Sequence, residues 1–340
     1  MNEFKQLSQQ MHPAINAEMK AVLNANDTQP DTFHGMLHYH MGWRDGQLQP
    51  ANVNAGKQIR PVICLLVCQA AGGNWQQAVP AAAAIELLHN FSLIHDDIED
   101  ASPTRRGRRA LWTIWGVEQA INAGDAMFAF AHLALSRLIE RGVAAKTAVH
   151  TLRHFDETCV KLTQGQHTDM DFETRDGVTV DEYLAMITGK TAALLSLCTK
   201  LGAIIADCET QTVHHYAQFG LNLGLAFQVI DDILGIWGNE AIIGKSAATD
   251  ILTKKKTLPV LYGLSKNKSL RQLYKQETTD EAFVQKATNL LNSSGAREFA
   301  TQRAAYYSQN ALQHLEEAQP SGPAFAALNQ LSNTLLQRNF

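Results

Sequence analysis

Residues 94 to 109, IHDDIEDASPTRRGRR, place carboxylates at Asp96, Asp97 and Asp100 and follow them within ten residues with four arginines. In a helix, positions i and i+4 share one face, so Asp96 and Asp100 point together. Two carboxylates held that close repel each other unless a cation sits between them. Oxygen-only ligands at this spacing suit magnesium, which keeps several waters and takes one or two carboxylates plus substrate phosphates. A lone DDxxD is also what a solvated helix face looks like, and a second acidic pair changes the weighing. Asp231 and Asp232, in FQVIDDILGIWG, sit inside an otherwise apolar helical pattern. A buried, unpaired carboxylate there costs several kcal/mol, so a decorative role is disfavoured. If the two acidic helices face each other, they can hold several magnesium ions around one diphosphate, as helix bundles hold metals between facing helices.

Basic groups stand around these pairs: Lys57 and Arg60 in GKQIRP, Arg105, Arg106, Arg108 and Arg109, Lys190 in GKT, Lys245 in GKS, and Lys254 to Lys256. Taken singly, each has a plain reading as a solvated or helix-end charge. GKT is not a P-loop, because position 184 is Leu where the first glycine of GxxxxGK[ST] belongs and no strand precedes it. Phosphate binding here therefore falls to side chains and magnesium, with Arg forks giving bidentate contacts and Lys acting as point charges.

The elements that must position these groups are helices. AAAAIELLHNFSLIHDD, AINAGDAMFAFAHLALSRLIE, VDEYLAMITGKTAALLSLCTKLGAII and FGLNLGLAFQVIDDILGIW repeat apolar residues at spacings of three and four, and several are apolar almost all round. Breaks at GGN, ASPTRRG, TRDG, GNEAIIGKSAATD and QPSGP are too short for domain linkers. The expectation is an all-α, single-domain antiparallel bundle over residues 1–340. The chain of 340 residues is 45% hydrophobic with a formal net charge of -4 and a pI near 6.3, which excludes a general polyanion binder and makes any anion site local. Basic runs also lack aromatic interleaving, so no nucleic acid is expected. The five cysteines form no CxxC pair, and Cys64 and Cys68 suit a helix core better than zinc. The N-terminus has no secretion-signal pattern, and no apolar run reaches the roughly 20 residues of a span, so no membrane anchor and a cytoplasmic location are expected.

In this order, GKQIRP, ELLHNFSLIHDDIED with RRG five residues on, INAGD, GQHTDMDFE, GKT, and FQVIDDILG followed by GK, Asp250 and KKT, the chain resembles the trans-isoprenyl diphosphate synthase (polyprenyl synthetase) family over about residues 56–259. The resemblance implies a bundle around a deep central cavity, a homodimer, and condensation of isopentenyl diphosphate with an allylic diphosphate using three magnesium ions per active site. It also implies metal ligation by Asp96, Asp100 and Asp231, and an isopentenyl diphosphate site of Lys57, Arg60, His89 and Arg106. Arg105, Lys190, Thr191, Gln228, Lys245 and Lys255 are its implied partners for the allylic diphosphate, Lys190 also counting among the catalytic groups. Lys255 is preferred to its neighbours because it follows Asp250 by five residues. Phe91, five before the first aspartate, is the implied floor that limits product length to C15 or C20, although helix geometry brings Ser92 nearer the Asp96 face.

Two departures stand out: Gly235 replaces the usual third aspartate of the second motif, and Arg109 and Ala110 stand where Pro-Thr is common. Gly235 implies activity with less support around the metal. A terpene cyclase would need an N-D-x-x-S-x-x-x-E motif that residues 228 to 236 lack, and it would have no use for the isopentenyl site. A non-catalytic subunit of a heteromeric synthase is hinted at by Gly235 alone.

Overall fold

The structure, a computed structural model, describes residues 2–25, 30–53, 56–238, 249–277 and 279–336. Apart from one two-stranded ribbon, the regular elements among the described residues are helices. They are α1 Glu3–Val22, α2 Thr32–His40, α3 Ile59–Ala70, α4 Val79–Glu99, α5 Leu111–Trp115, α6 Val117–Ser136, α7 Ala145–Thr174, α8 Val180–Ile187, α9 Ala193–Ile205, α10 Thr210–Trp237, α11 Thr249–Leu252, α12 Leu258–Lys266, α13 Lys268–Tyr274, α14 Glu281–Ser293, α15 Ala296–Glu317 and α16 Gly322–Leu336. The chain divides into two compact units: Met1–His154 with Cys198–Thr210 and Pro320–Leu328, and Phe155–Leu197 with Gln211–Gln319 and Asn329–Phe340.

In the first unit α4 packs on α1, α3 and α6. Its Ala81 to Ala84 run is fully buried, and these small side chains let neighbouring helices approach Ile85, Leu87 and Leu88 closely. Between α4 and α5 the RRGRR stretch forms a hairpin rather than a helix end: β1 Thr104–Arg105 pairs antiparallel with β2 Arg108–Arg109. The two turn residues, Arg106 at φ 53° and Gly107 at φ 75°, give the left-handed geometry that two-residue hairpins favour. Arg106 is thereby carried at the tip.

The second unit is organised around α10. Phe172, Tyr183, Ile187, Val229, Ile230, Ile233, Leu258 and Leu261 form one buried cluster. Helix α8 starts at a capping box, with Thr179 Oγ1 accepting from the Glu182 N–H at 3.2 Å and Glu182 Oε2 accepting from the Thr179 N–H at 2.9 Å. Past α8, Thr188–Ala192 is a single π-helical turn, a form that recurs at functional sites. A Cβ at Gly165 of α7 would come within 2.8 Å of Lys190 Cα, and one at Gly189 within 2.9 Å of the Lys161 carbonyl oxygen. Both glycines therefore serve a close crossing of two backbones.

Val180–Ile205 and Thr210–Trp237 are long and apolar enough to span a membrane, which corrects the expectation that no run approaches that length. They are 56% and 72% buried over the relevant windows, and such burial accounts for their composition without a bilayer.

Candidate active site

Asp96 falls in the last turn of α4 and Asp100 caps that helix, its N–H donating to the Asp96 carbonyl at 2.8 Å. Backbone carbonyls at a helix C-terminus add negative potential to the carboxylates already there, so this end of α4 favours a cation. Asp97, between them, turns inward and is 2% exposed. Arg105 of the hairpin donates to its Oδ1 from Nε at 2.8 Å and from Nη2 at 2.5 Å. Burial pushes the Asp97 carboxyl above its usual range, and Arg105 works against that. The sequence reading missed Asp97 as the hairpin's anchor, though an aspartate 100° round the helix from its neighbour is a visible signal.

The candidate isopentenyl diphosphate residues of the first unit come together. Arg60 Nη1 lies 3.5 Å from His89 Nε2, and the Gly56 backbone covers the Arg106 guanidinium so closely that a Cβ would meet its Cζ at 3.1 Å. Lys57, next along this loop, is exposed. Burial, then the charges of Arg60 and Arg106, hold His89 well below its usual range, so it is neutral. Glu86, 2% exposed, sits within the field of Arg60 and Arg106 and bonds to Asn90 Nδ2 at 3.2 Å. Glu86 also escaped the sequence reading. A carboxylate one turn before His89 was its only signal.

Arg108 and Arg109, left without a role by their sequence, are structural. Arg108 donates to the Tyr39 carbonyl at 2.9 Å and the Arg44 carbonyl at 2.8 Å, with its guanidinium 3.9 Å above the Tyr39 ring. The Tyr39 hydroxyl donates to the Arg109 carbonyl at 2.8 Å, and the Arg109 guanidinium donates to the Thr113 carbonyl. They tie the hairpin to the end of α2 and to α5.

In the second unit, buried Asp232 accepts from the Tyr183 hydroxyl at 2.5 Å, from Gln228 Nε2 at 3.1 Å and from the Leu258 N–H at 3.2 Å. Burial raises its carboxyl to about 6 while these donors and Lys255 oppose the shift. Asp231, one residue earlier, is half-buried. Gln228 Oε1 in turn accepts from Thr191 Oγ1 at 3.1 Å, so two of the candidate diphosphate residues are linked. Gln228 keeps one amide hydrogen beyond these contacts. Lys190, on the π turn, pairs with Asp169 at 2.5 Å. Asp169 and Tyr183 were missed as the partners of Lys190 and Asp232; Asp169 lies in the GQHTDMDFE motif, and a buried tyrosine hydroxyl usually takes a hydrogen-bond partner.

Among the three consecutive lysines the structure distinguishes clearly. Lys254 donates to the Gln276 carbonyl, and Lys256 caps the end of α7 through the carbonyls of Phe172, Glu173 at 3.2 Å and Arg175 at 2.8 Å. Lys255, the member that the resemblance implies for the allylic diphosphate, is exposed. Lys245 lies outside the described residues. Phe91 packs against Phe128 and His95, with ring centroids 5.1 and 4.8 Å away.

Gly235 has a steric reason. A Cβ there would come within 2.7 Å of Asp250 Cγ and closer still to its Oδ2. The Asp250 carboxylate thus lies against the backbone at the position where the second motif lacks its third carboxylate.

In each unit the candidate metal-ligating side chains, Asp96 with Asp100 in the first and Asp231 in the second, offer carboxylate oxygens only, which suits a hard divalent cation. Comparison with known proteins agrees with this chemistry. The Polyprenyl synthetase family model matches residues 47–291. A geranylgeranyl diphosphate synthase of Mycobacterium tuberculosis is 39% identical over 301 residues, 87% of this chain and 85% of the relative. A (2E,6E)-farnesyl diphosphate synthase of Mycobacterium bovis is 36% identical over 312 residues, 89% and 85% respectively. The crystal structure of a polyprenyl synthase from Caulobacter crescentus, complexed with calcium and isoprenyl diphosphate, superposes with a TM-score of 0.80 at 26% identity, covering 99% of this chain and 98% of that one. The chain belongs to the polyprenyl synthetase family. Within it, the chain is a trans-prenyltransferase of the short-chain, farnesyl/geranylgeranyl diphosphate synthase type.

Proposed function

We propose that this chain condenses isopentenyl diphosphate head-to-tail with an allylic diphosphate to give a C15 or C20 trans-prenyl diphosphate. The observation that carries the residue assignment is the splitting of each aspartate pair. Asp97 and Asp232 are consumed as buried anchors, while Asp96 and Asp231 are half-buried on a different helix face. An anchor beside each ligand fixes its direction, which is what a preorganised charged site requires.

Asp96, Asp100 and Asp231 would hold three magnesium ions. When bound, the metal supplies Lewis-acid stabilisation of charge on the departing diphosphate. Arg105, Lys190, Thr191, Gln228, Lys245 and Lys255 bind and orient the allylic diphosphate. Arg105 and Lys190 do so from positions braced by Asp97 and Asp169. Lys57, Arg60, His89 and Arg106 hold isopentenyl diphosphate, and neutral His89 can donate one hydrogen bond without adding to the charge of the two arginines. As the allylic C–O bond breaks, the isopentenyl double bond attacks the carbon left electron-poor, and the proton then lost passes to the released diphosphate. Apolar helix walls exclude water that would quench the cation.

A homodimer fits the exposed apolar side chains of α6, Val117, Ile121 and Leu133, which are 39%, 42% and 55% exposed. A cytoplasmic location fits the five free cysteines. The test is direct: purified protein with magnesium, isopentenyl diphosphate and each of the C5, C10 and C15 allylic diphosphates, with products sized by chromatography. C15 or C20 products support the reading, and hydrolysis without chain growth overturns it. Phe91→Ala should lengthen the products, and an unchanged profile would leave Phe91 as core packing alone.

A further inference from the structure

Away from the acidic motifs, His215 near the start of α10 meets His314 and Glu317 in the last turn of α15. His215 Nδ1 is 3.0 Å from Glu317 Oε2, His314 Nδ1 is 3.2 Å from the same oxygen, and the two Nδ1 atoms are 3.2 Å apart. Three ligand atoms therefore form a nearly equilateral triangle. A tetrahedral zinc ion with bonds of about 2.0–2.1 Å has ligand-to-ligand edges of about 3.3 Å, so one point just off this triangle lies at bonding distance from all three atoms. We propose that His215, His314 and Glu317 form a second metal site, selective for zinc or a similar transition ion, with water in the fourth position.

The chemistry separates this site from the oxygen-only magnesium ligands. Imidazole nitrogens suit zinc, copper and nickel, whereas magnesium takes oxygen. Side-chain exposures of 16% for His215, 27% for His314 and 39% for Glu317 leave a route for the ion. Outer contacts aim the ligands: Gln313 Nε2 donates to Glu317 Oε1 at 2.8 Å, leaving Oε2 toward the histidines. The Gln211 side-chain amide lies 2.9 Å from His215 Nε2, and an amide turned to accept from Nε2–H leaves the Nδ1 lone pair facing inward. The Gln313 hydrogen bond is also the main reason the Glu317 carboxyl lies below its usual range, so it is ionised. The last-turn carbonyls of α15 favour a cation as well. Without a metal, the two contacts to Glu317 Oε2 are hydrogen bonds only if both rings are Nδ1–H donors, and the 3.2 Å approach of the two Nδ1 atoms is then not a hydrogen bond. That is the rival arrangement. A bound ion would fasten the first turns of α10, the helix that carries Gln228, Asp231 and Asp232, to α15.

The test uses the full chain without a histidine tag, stripped with chelator and held in millimolar magnesium so that oxygen-ligand sites are filled. Zinc is then titrated by calorimetry, with cobalt as a spectroscopic probe. The expected result is one equivalent of zinc per chain, a rise in melting temperature, and the visible absorption of tetrahedral cobalt. His215→Gln and Glu317→Gln, each keeping a polar side chain of similar reach, should each abolish that equivalent while magnesium-dependent condensation stays within about twofold, because neither residue touches a substrate. No zinc equivalent in the natural protein, or one that survives in both variants, overturns the proposal.

Discussion

The two acidic motifs solve one problem in different ways. In the first, the inward aspartate is neutralised by a full charge: Arg105, from a hairpin eight residues on, grips Asp97. In the second, Asp232 is held by three uncharged donors from Tyr183, Gln228 and the Leu258 backbone. The first motif keeps its third carboxylate at Asp100, the C-cap of its own helix, while the second has glycine there with the Asp250 carboxylate packed against it. Each aspartate pair thus holds one buried anchor and one half-buried member, and the anchor's partner can be charged or neutral so long as the buried oxygens are satisfied.

The largest expected effects fall on the ligands. Asp96→Ala and Asp231→Ala should each lower kcat/KM for condensation by at least about 10²- to 10³-fold, the usual cost of losing a charge-stabilising group. Far-ultraviolet circular dichroism should stay unchanged. Near-normal turnover in either variant would end the equivalence of the two motifs. Next come the anchors. Arg105→Gln strands a buried carboxylate and should cost about 3–5 kcal/mol of stability in urea unfolding. Tyr183→Phe removes one of three neutral donors and should cost about 1–3 kcal/mol. Equal losses would erase the distinction between charged and neutral anchoring.

Acid should expose a further property of the first unit. Burial, then the charges of Arg106 and Arg105, push the His40 imidazole down to about 3. Unfolding returns it to its ordinary value of 6.5, so the unfolded chain binds a proton that the fold refuses. Stability from this group is present above pH 6.5 and is lost as pH falls toward 3, at about 1.4 kcal/mol per pH unit. Chemical unfolding at pH 7 and pH 5 should show a steeper loss in the natural chain than in His40→Gln. The smallest effect is expected at Gly235. Gly235→Ala must displace the Asp250 carboxylate and should cost about 1 kcal/mol with a modest fall in activity. Gly235→Asp combined with Asp250→Gly, which moves the carboxylate back to α10, should recover more activity than Gly235→Asp alone.

Much of this site was legible in local spacing. The i, i+4 rule paired Asp96 with Asp100, and helical periodicity announced an all-α chain, because both depend only on residues a turn or two apart. The RRGRR hairpin was missed, since two short strands leave no periodicity, and the scaffold role of Arg108 is visible only once Tyr39 and Arg44 are in place. Among Lys254, Lys255 and Lys256 the motif spacing named the exposed one, but the reason, carbonyls waiting for the other two, came from residues up to 84 positions away.

By itself the sequence determined the helices, the aspartates that face together and the family to which they belong, because those follow from local geometry and residue chemistry. Tertiary structure alone decided which aspartate of each pair is anchor, why position 235 is glycine, and that His215 meets His314 and Glu317 about a hundred residues along the chain. These are contacts between segments distant in sequence. Burial, which sets whether a charge is an asset or a cost, is a property of the folded surroundings and of no single residue.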